Sequence, residues 1–195
     1  VLGTLSRTPV MVLMSDGAPT LATTSFTNPG QYNLGDGKSS STSAALGFVT
    51  QLSAAYAKQQ VEEKYKTDCL FYTLGLGVSG DSIATSVLNP AGSSAAINTF
   101  WSRYHAASVG GKVTVEGNNY NAKTVTKISQ SLEQNYVEEY FAADGTSGSL
   151  ADELKDTFAD IVGKIQLQSK YFPTLISDNE DVSGYVSFVD KIGEH

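Results

Sequence analysis

Two stretches of the chain are apolar without alternation. "PVMVLM" (residues 9–14) and "CLFYTLGL" (residues 69–76) contain hardly a polar side chain. A strand covered on both faces of a parallel sheet reads this way, because neither face meets water. Each run stops at a glycine-bearing loop, "SDG" after the first and "GVSG" after the second. Between them, residues 42–65 place Ala45, Val49, Leu52 and Tyr56 at spacings of four, three and four, one face of a helix. Strand, helix and strand in that order predict a parallel crossover of right-handed sense.

The second crossover is less regular. Residues 81–88 predict a short helix that Asn89-Pro90 ends, since the proline ring disfavours helical backbone in the residue before it. Residues 93–107 predict another, with Ile97, Phe100, Trp101 and Tyr104 on one side. "KVTVEGNNYNAKTVT" (residues 112–126) alternates around Gly-Asn-Asn and predicts a small surface hairpin. "NYVEEYFAAD" (residues 135–144) is a third strand, less apolar and therefore nearer an edge, with a helix as its alternative. The clearest helix follows: Ser149 and Asp152 stand at capping-box spacing, and Leu150, Leu154, Phe158, Ile161 and Ile165 form an apolar stripe. Residues 169–195 break at Phe172-Pro173 and end in the alternating "SGYVSFVD", a linker and edge strand leading to a following module. Residues 23–43, rich in Gly, Ser, Thr and Asn, read as a long surface loop of the kind that carries function.

With 195 residues, 41% of them hydrophobic, the chain can bury one sizeable core. No run approaches the roughly 20 apolar residues that span a bilayer, so membrane insertion is not expected. The chain begins at Val1 without a basic and apolar leader and is read as a piece of a longer protein. Charge is uneven: residues 131–195 carry 13 acids and 4 bases, residues 1–130 carry 7 acids and 9 bases. An acidic chain with no Lys/Arg cluster lacks what a nucleic-acid binder needs to neutralise phosphates. Cys69 is the single cysteine and sits in an apolar run, where an inert buried thiol is expected and neither a disulfide nor a cysteine metal site can form.

A mostly parallel sheet places its ligands at the carboxyl ends of its strands, and Asp16 stands at such an end. Around it the sequence resembles the von Willebrand factor A (vWA) domain family. "VMVLMSDGAPT" is similar to that family's fourth strand and Ser/Thr-Asp-Gly loop, and "CLFYTLGLGV" to its fifth strand. "NYVEEYFAAD" with "SLADELKDTFADIVGKI" is similar to its last strand and last helix. The resemblance is greatest to vWA domains of Gram-positive surface adhesins. It implies an α/β fold: the C-terminal part of a doubly wound, Rossmann-like vWA domain, with a mostly parallel sheet and helical crossovers. That part spans residues 1–168, with an insertion at about 110–127.

The resemblance further implies a metal-ion-dependent adhesion site for Mg²⁺ or another divalent cation, to which Asp16 supplies a carboxylate. Ser15 and Thr20 are second candidates through water, turn hydrogen bonding being their plainer role. For Asp16 the plainer role is a turn or helix cap. Gly17 would allow the tight turn that leaves the strand. The family's D-x-S-x-S motif is absent from these 195 residues; "DGKSSS" at Asp36 and "DGTSGS" at Asp144 have other spacings. The family's first three strands are therefore outside the chain, and a missing N-terminal half or a second chain is expected to cover the edge of strand 9–14. The implied function is non-enzymatic: an extracellular, cell-surface module that binds a protein ligand, such as a host or matrix protein, through residues 23–43 and 110–127.

Two rival readings belong to other classes. "GLGVSG" (Gly75, Gly77, Gly80) spells a dinucleotide-binding loop after a strand, yet the helix behind it is cut by Pro90 and no acid stands about 20 residues on. A nucleotide-dependent enzyme is thus the alternative, and a purely structural surface-protein module the other. His105 and His195 are the only histidines, and no G-x-S-x-G elbow accompanies them. Phe100, Trp101 and Tyr104 are expected in the core, and Glu138, Glu139, Asp152 and Glu153 on a solvated face.

Overall fold

The computed structural model describes residues 8–25, 33–129, 132–146 and 148–168. The protein is mixed α/β. Three strands, β1 (Val10–Ser15), β4 (Leu70–Leu76) and β7 (Glu139–Ala143), form an all-parallel sheet in the order β1-β4-β7. Two antiparallel ribbons flank it, β2 (Leu21–Thr23) with β3 (Asn33–Gly35) and β5 (Lys112–Gly117) with β6 (Tyr120–Thr126). The helices are α1 (Ala44–Tyr65), α2 (Ser82–Leu88), α3 (Ala95–Ala106) and α4 (Leu150–Gln168).

Each helix begins where a side chain can take up free amides. Ser43 accepts from the Leu46 amide at the start of α1, and Ser94 from Ile97 at the start of α3. Before α4, the Ser149 hydroxyl accepts from the Asp152 amide and donates to its carboxylate, so the sequence pair is a working cap. Helix α1 ends on Lys66, whose φ of 55° turns the chain sharply toward β4.

Alternate β4 residues face opposite helical layers. Phe71 meets Tyr136 edge-on in the main core, which also holds Leu46, Phe48, Trp101 and Tyr104, and the Thr73 hydroxyl donates to the Leu88 carbonyl at the end of α2. Tyr72 and Leu74 point the other way, toward α4. There Lys164 pairs with Glu139 and stands over the Phe141 ring. Glu139 is therefore a tether for α4 as well as a partly solvated side chain, 39% exposed.

Several expectations are corrected. Strand β1 is covered on one face only, with Val12 43% and Met14 42% exposed, because α4 does not reach over it and no described strand lies beyond it. The stripe on α4 is displaced: Phe158 is 39% exposed while Thr157 is buried beside Ile161, since the helix meets the sheet along that line. The β5–β6 hairpin is more than a surface feature, for Val113, Val115 and Val125 join the main core. Its tip is held down as well, by the Asn118 and Asn119 side chains donating to the Thr42 and Ser40 carbonyls. The loop expected at residues 23–43 carries the end of β2 and all of β3, with Leu34 fully buried. Strand β7 starts only at Glu139, and the segment before it reaches the core through Leu132 and Tyr136. The edge strand expected within residues 169–195 lies outside the described residues, as does His195.

Two long polar side chains, Gln51 and Lys127, are among those buried. Gln51 is fully buried between α1, α2 and α3, its amide donating to the Ser86 carbonyl and the Ser93 hydroxyl, each at 2.6 Å. Its Oε1 accepts from Trp101 Nε1 at 2.6 Å. Lys127 is 2% exposed, yet its ammonium finds the carbonyls of His105 and Ala107 at 2.9 Å each and lies over the Tyr104 ring. A cation at that place meets the negative end of α3, which offsets part of its desolvation.

Candidate metal site at the carboxyl end of the sheet

The loops at the carboxyl ends of β1, β4 and β7 come to one end of the molecule because the three strands are parallel. After β1, Asp16 is exposed. The Ser15 hydroxyl is engaged locally: it donates to the Gly17 carbonyl at 2.9 Å and accepts from the Gly17 amide at 3.4 Å. Thr20 anchors the loop through its backbone, where its carbonyl accepts from the Gly37 amide at 3.1 Å and the Ser41 hydroxyl at 2.9 Å. Gly17 is not required by the turn. Its φ is not positive, and a Cβ there would meet nothing within 4 Å. Among the described residues, the glycines with left-handed backbone are Gly35, Gly37, Gly77, Gly110 and Gly145.

After β4, Gly75 serves packing, Gly77 takes a left-handed backbone (φ +65°), and a Cβ on Gly77 or Gly80 would meet nothing within 4 Å. A Cβ on Gly75 would lie 2.5 Å from Val78 Cγ2 and 2.9 Å from Tyr140 Oη, so β4 and β7 close together only around a bare backbone. The amides that a pyrophosphate would need are already taken, because the Asp81 carboxylate accepts from Ile83 and Ala84 at 2.9 Å each. After β7, Asp144 keeps Oδ1 away from solvent with no hydrogen-bond partner among the described residues. A cavity of about 300 Å³ opens beside it, lined also by Glu153, Asp156 and Asp160. Glu153 itself accepts from the Gly145 amide at 2.7 Å. Sequence reasoning set Asp144 aside on motif spacing; its position, one residue beyond the end of β7, was the available signal. Among the described residues no three His, Cys, Asp or Glu side chains converge in a way that could hold a metal ion.

The remaining reactive side chains are engaged elsewhere. Burial, seconded by the nearby Glu62 charge, pushes the Cys69 thiol above its ordinary value, and the Glu62 carboxylate accepts from the Cys69 amide at 3.1 Å. Raised in this way, the thiol stays protonated and a poor nucleophile. His105 places Nε2 3.2 Å from the Leu132 carbonyl and stacks obliquely on Trp101. Asp36, in the "DGKSSS" segment, caps its own turn; the Lys38 amide at 2.9 Å holds its carboxyl below the usual range.

Burial also raises the phenols of Tyr104, Tyr120, Tyr136 and Tyr140, and the Asp144 charge adds to the effect at Tyr140. An unfolded tyrosine ionises near pH 10, whereas the folded protein holds these protons to higher pH. The folded state therefore binds more protons above about pH 10, and stability falls as pH rises from there. Melting temperature is expected to begin falling above about pH 8.5, where the unfolded Cys69 thiol ionises while the folded one stays protonated, and to drop more steeply from about pH 10 through pH 11. A flat profile to pH 11 would contradict the burial of these hydroxyls.

Comparison of the chain with protein-family profiles, with curated proteins and with solved structures found no significant match.

Proposed function

We propose that this chain is the C-terminal part of a vWA-like domain in an extracellular surface protein, a module that binds a protein ligand and performs no chemistry. The reading is carried by one juxtaposition. The "SDG" loop leaves the carboxyl end of a parallel strand whose far edge, opposite β4, pairs with no strand among the described residues, and there the resemblance puts the family's first strand. The chain order of the strands is also their order in space, with α1 and then α2 and α3 as crossovers, which suits the fourth, fifth and last strands of such a domain.

On this reading Asp16 contributes a carboxylate to a site for Mg²⁺ or a similar hard cation, and the partner's own carboxylate takes an open coordination position. A hard cation of this kind needs about six oxygen ligands, several of them water. Asp16 alone cannot hold it, so the hydroxyl and carboxylate donors of the family's D-x-S-x-S loop come from outside this chain, from preceding polypeptide or a second chain.

The test is calorimetric titration of Mg²⁺ and Mn²⁺ into the protein extended toward its N-terminus, as wild type and as Asp16→Ala. Saturable binding that weakens at least about tenfold on the substitution is expected. Binding that ignores the substitution would remove Asp16 from the site, and no binding in either protein would favour a structural module.

A further inference from the structure

The cavity beside Asp144 is lined by acids and hydroxyls and by no cationic side chain, and we propose that it receives an arginine side chain of the protein partner. It forms where β7 gives way to α4. Ala142 belongs to the strand, Asp144 stands one residue past it, and Glu153, Asp156, Thr157 and Asp160 come from successive turns of the helix. Carboxylates on a helix surface are ordinary by themselves. Two unpartnered groups set this place apart. Asp144 Oδ1 is shut off from solvent and has no hydrogen-bond partner among the described residues. Thr157 is 7% exposed and lines the same cavity, and its hydroxyl makes no hydrogen bond among the described residues. It forgoes even the bond to the carbonyl one turn back, which the hydroxyls of Ser53, Ser86, Thr99 and Ser102 all make in their helices. Buried polar groups left unpaired in this way call for a partner from outside.

That partner must bring hydrogen-bond donors and positive charge. Among the described residues Asp144, Asp156 and Asp160 take part in no ion pair, and Lys164 of α4 is held by Glu139 over the Phe141 ring. Lys155, by the helical period, lies on the opposite flank of α4 from Glu153 and Asp160. A directly bound metal ion does not suit the cavity, because no three of its acids converge on one point and such an ion needs about six oxygens around it. The acceptors are spread instead around about 300 Å³, at the lower end of ligand-pocket volumes. A guanidinium suits that spread: its five N–H donors point outward in one plane and serve several separated acceptors at once, whereas an ammonium gathers three donors at one atom. A turn about the last torsion of Asp144, which has broad minima, would bring Oδ1 toward the cavity that the residue lines.

The inference rests on the reading of the chain as a protein-binding module, whose partner supplies the arginine, and is independent of a metal at Asp16. The two places lie at the same end of the sheet. Ser15 stands beside Gly75 and Gly75 beside Ala142, so only β4 separates the loops that carry Asp16 and Asp144, about 10 Å at the usual strand spacing. One partner surface can therefore span both, a carboxylate at the first and an arginine at the second. The net charge of −7 favours the approach of a surface that carries basic residues.

The probe is the blocked peptide acetyl-Gly-Arg-Gly-amide, titrated into the 195-residue chain in EDTA at about 0.15 M salt and followed through backbone amide NMR shifts. Saturable shifts at Gly145, Thr157 and Asp160 are expected, with Kd on the order of 1 mM. The same peptide with citrulline, isosteric but uncharged, should bind at least about tenfold more weakly, and Asp144→Asn should weaken the arginine peptide by a similar factor. Because a change at Asp144 can also disturb its loop, Asp160→Asn, at an exposed position, and Thr157→Val, which keeps the side-chain shape, provide independent arms; each should weaken binding about threefold or more. Glu63→Gln, exposed near the far end of α1, should leave the affinity unchanged. Shifts that fail to saturate, a citrulline or lysine peptide that binds as well, or an affinity indifferent to Asp144→Asn and Asp160→Asn would overturn the proposal. So would a separate Ca²⁺ titration that moves the same amides saturably, since the cavity would then be a metal site. With divalent cations chelated in the peptide titrations, failure here and failure at Asp16 are separate results.

Discussion

Trp101→Ala is expected to lower stability by about 3–5 kcal/mol, a large part of the roughly 5–15 kcal/mol that holds a domain folded. Two costs combine. The indole is 2% exposed and meets Phe48 and Tyr104 edge-on, with ring centroids 5.6 and 5.9 Å away, so its removal leaves a cavity at the junction of α1 and α3. The indole N–H is also the donor to Gln51 Oε1, whose other donor, Gln134 Nε2, stands at 3.4 Å. Without Trp101 a buried carbonyl oxygen keeps only that long contact. Trp101→Phe separates the two, because it refills most of the volume but restores no donor; it should cost about 1–3 kcal/mol, the range for an unsatisfied buried group. Urea unfolding followed by circular dichroism measures both, since Trp101 is the only tryptophan and its fluorescence vanishes with it. Equal losses for Ala and Phe would mean that the hydrogen bond dominates, and a negligible loss for Phe that it contributes little.

The Trp101 environment also marks how far the fold was legible from the chain. Its helical neighbours Ile97, Phe100 and Tyr104 are readable as a stripe, and α3 forms where they predict it. Gln51 and Lys127 are not readable as core residues, because nothing in a glutamine or a lysine says that buried carbonyls will surround it. The continuous apolar run of β4 correctly reports two covered faces. The equally apolar run of β1 misleads, because composition alone does not say how many neighbours a strand has, and among the described residues β1 is covered on one face and paired on one side. Phe158 is misassigned for the related reason that a stripe five residues long marks a wide arc of helix, whereas one sheet face covers only part of it. The "SDG" loop does lie at the carboxyl end of β1, where the apolar run placed it. Asp144 was set aside on motif spacing and its cavity was not foreseen, since the loop after β7 and α4 assemble it from residues that no local spacing connects.

Gly35→Ala is expected to cost about 2–4 kcal/mol, and the comparison with Gly17→Ala separates fold from site. Gly35 has φ +84°, a conformation that costs an alanine about 1–2 kcal/mol before any contact is considered. Its added Cβ would also lie 2.3 Å from the Thr20 carbonyl oxygen, a backbone atom just before β2 that is held by the Gly37 amide and the Ser41 hydroxyl. That oxygen cannot move aside as the end of a flexible side chain would, so the ribbon must open. Gly17→Ala meets no atom within 4 Å and should change stability by no more than about 0.5 kcal/mol. The two glycines bracket the loop that carries Asp16, one beside the carboxylate and one holding the ribbon into which the loop leads. If that loop is part of a cation site, Gly35→Ala should weaken Mn²⁺ binding in the N-terminally extended protein even at temperatures where the variant is fully folded, and Gly17→Ala should leave it within about twofold. A Gly35→Ala protein that is destabilised yet binds the cation with unchanged affinity would show that the ribbon supports the fold without positioning Asp16.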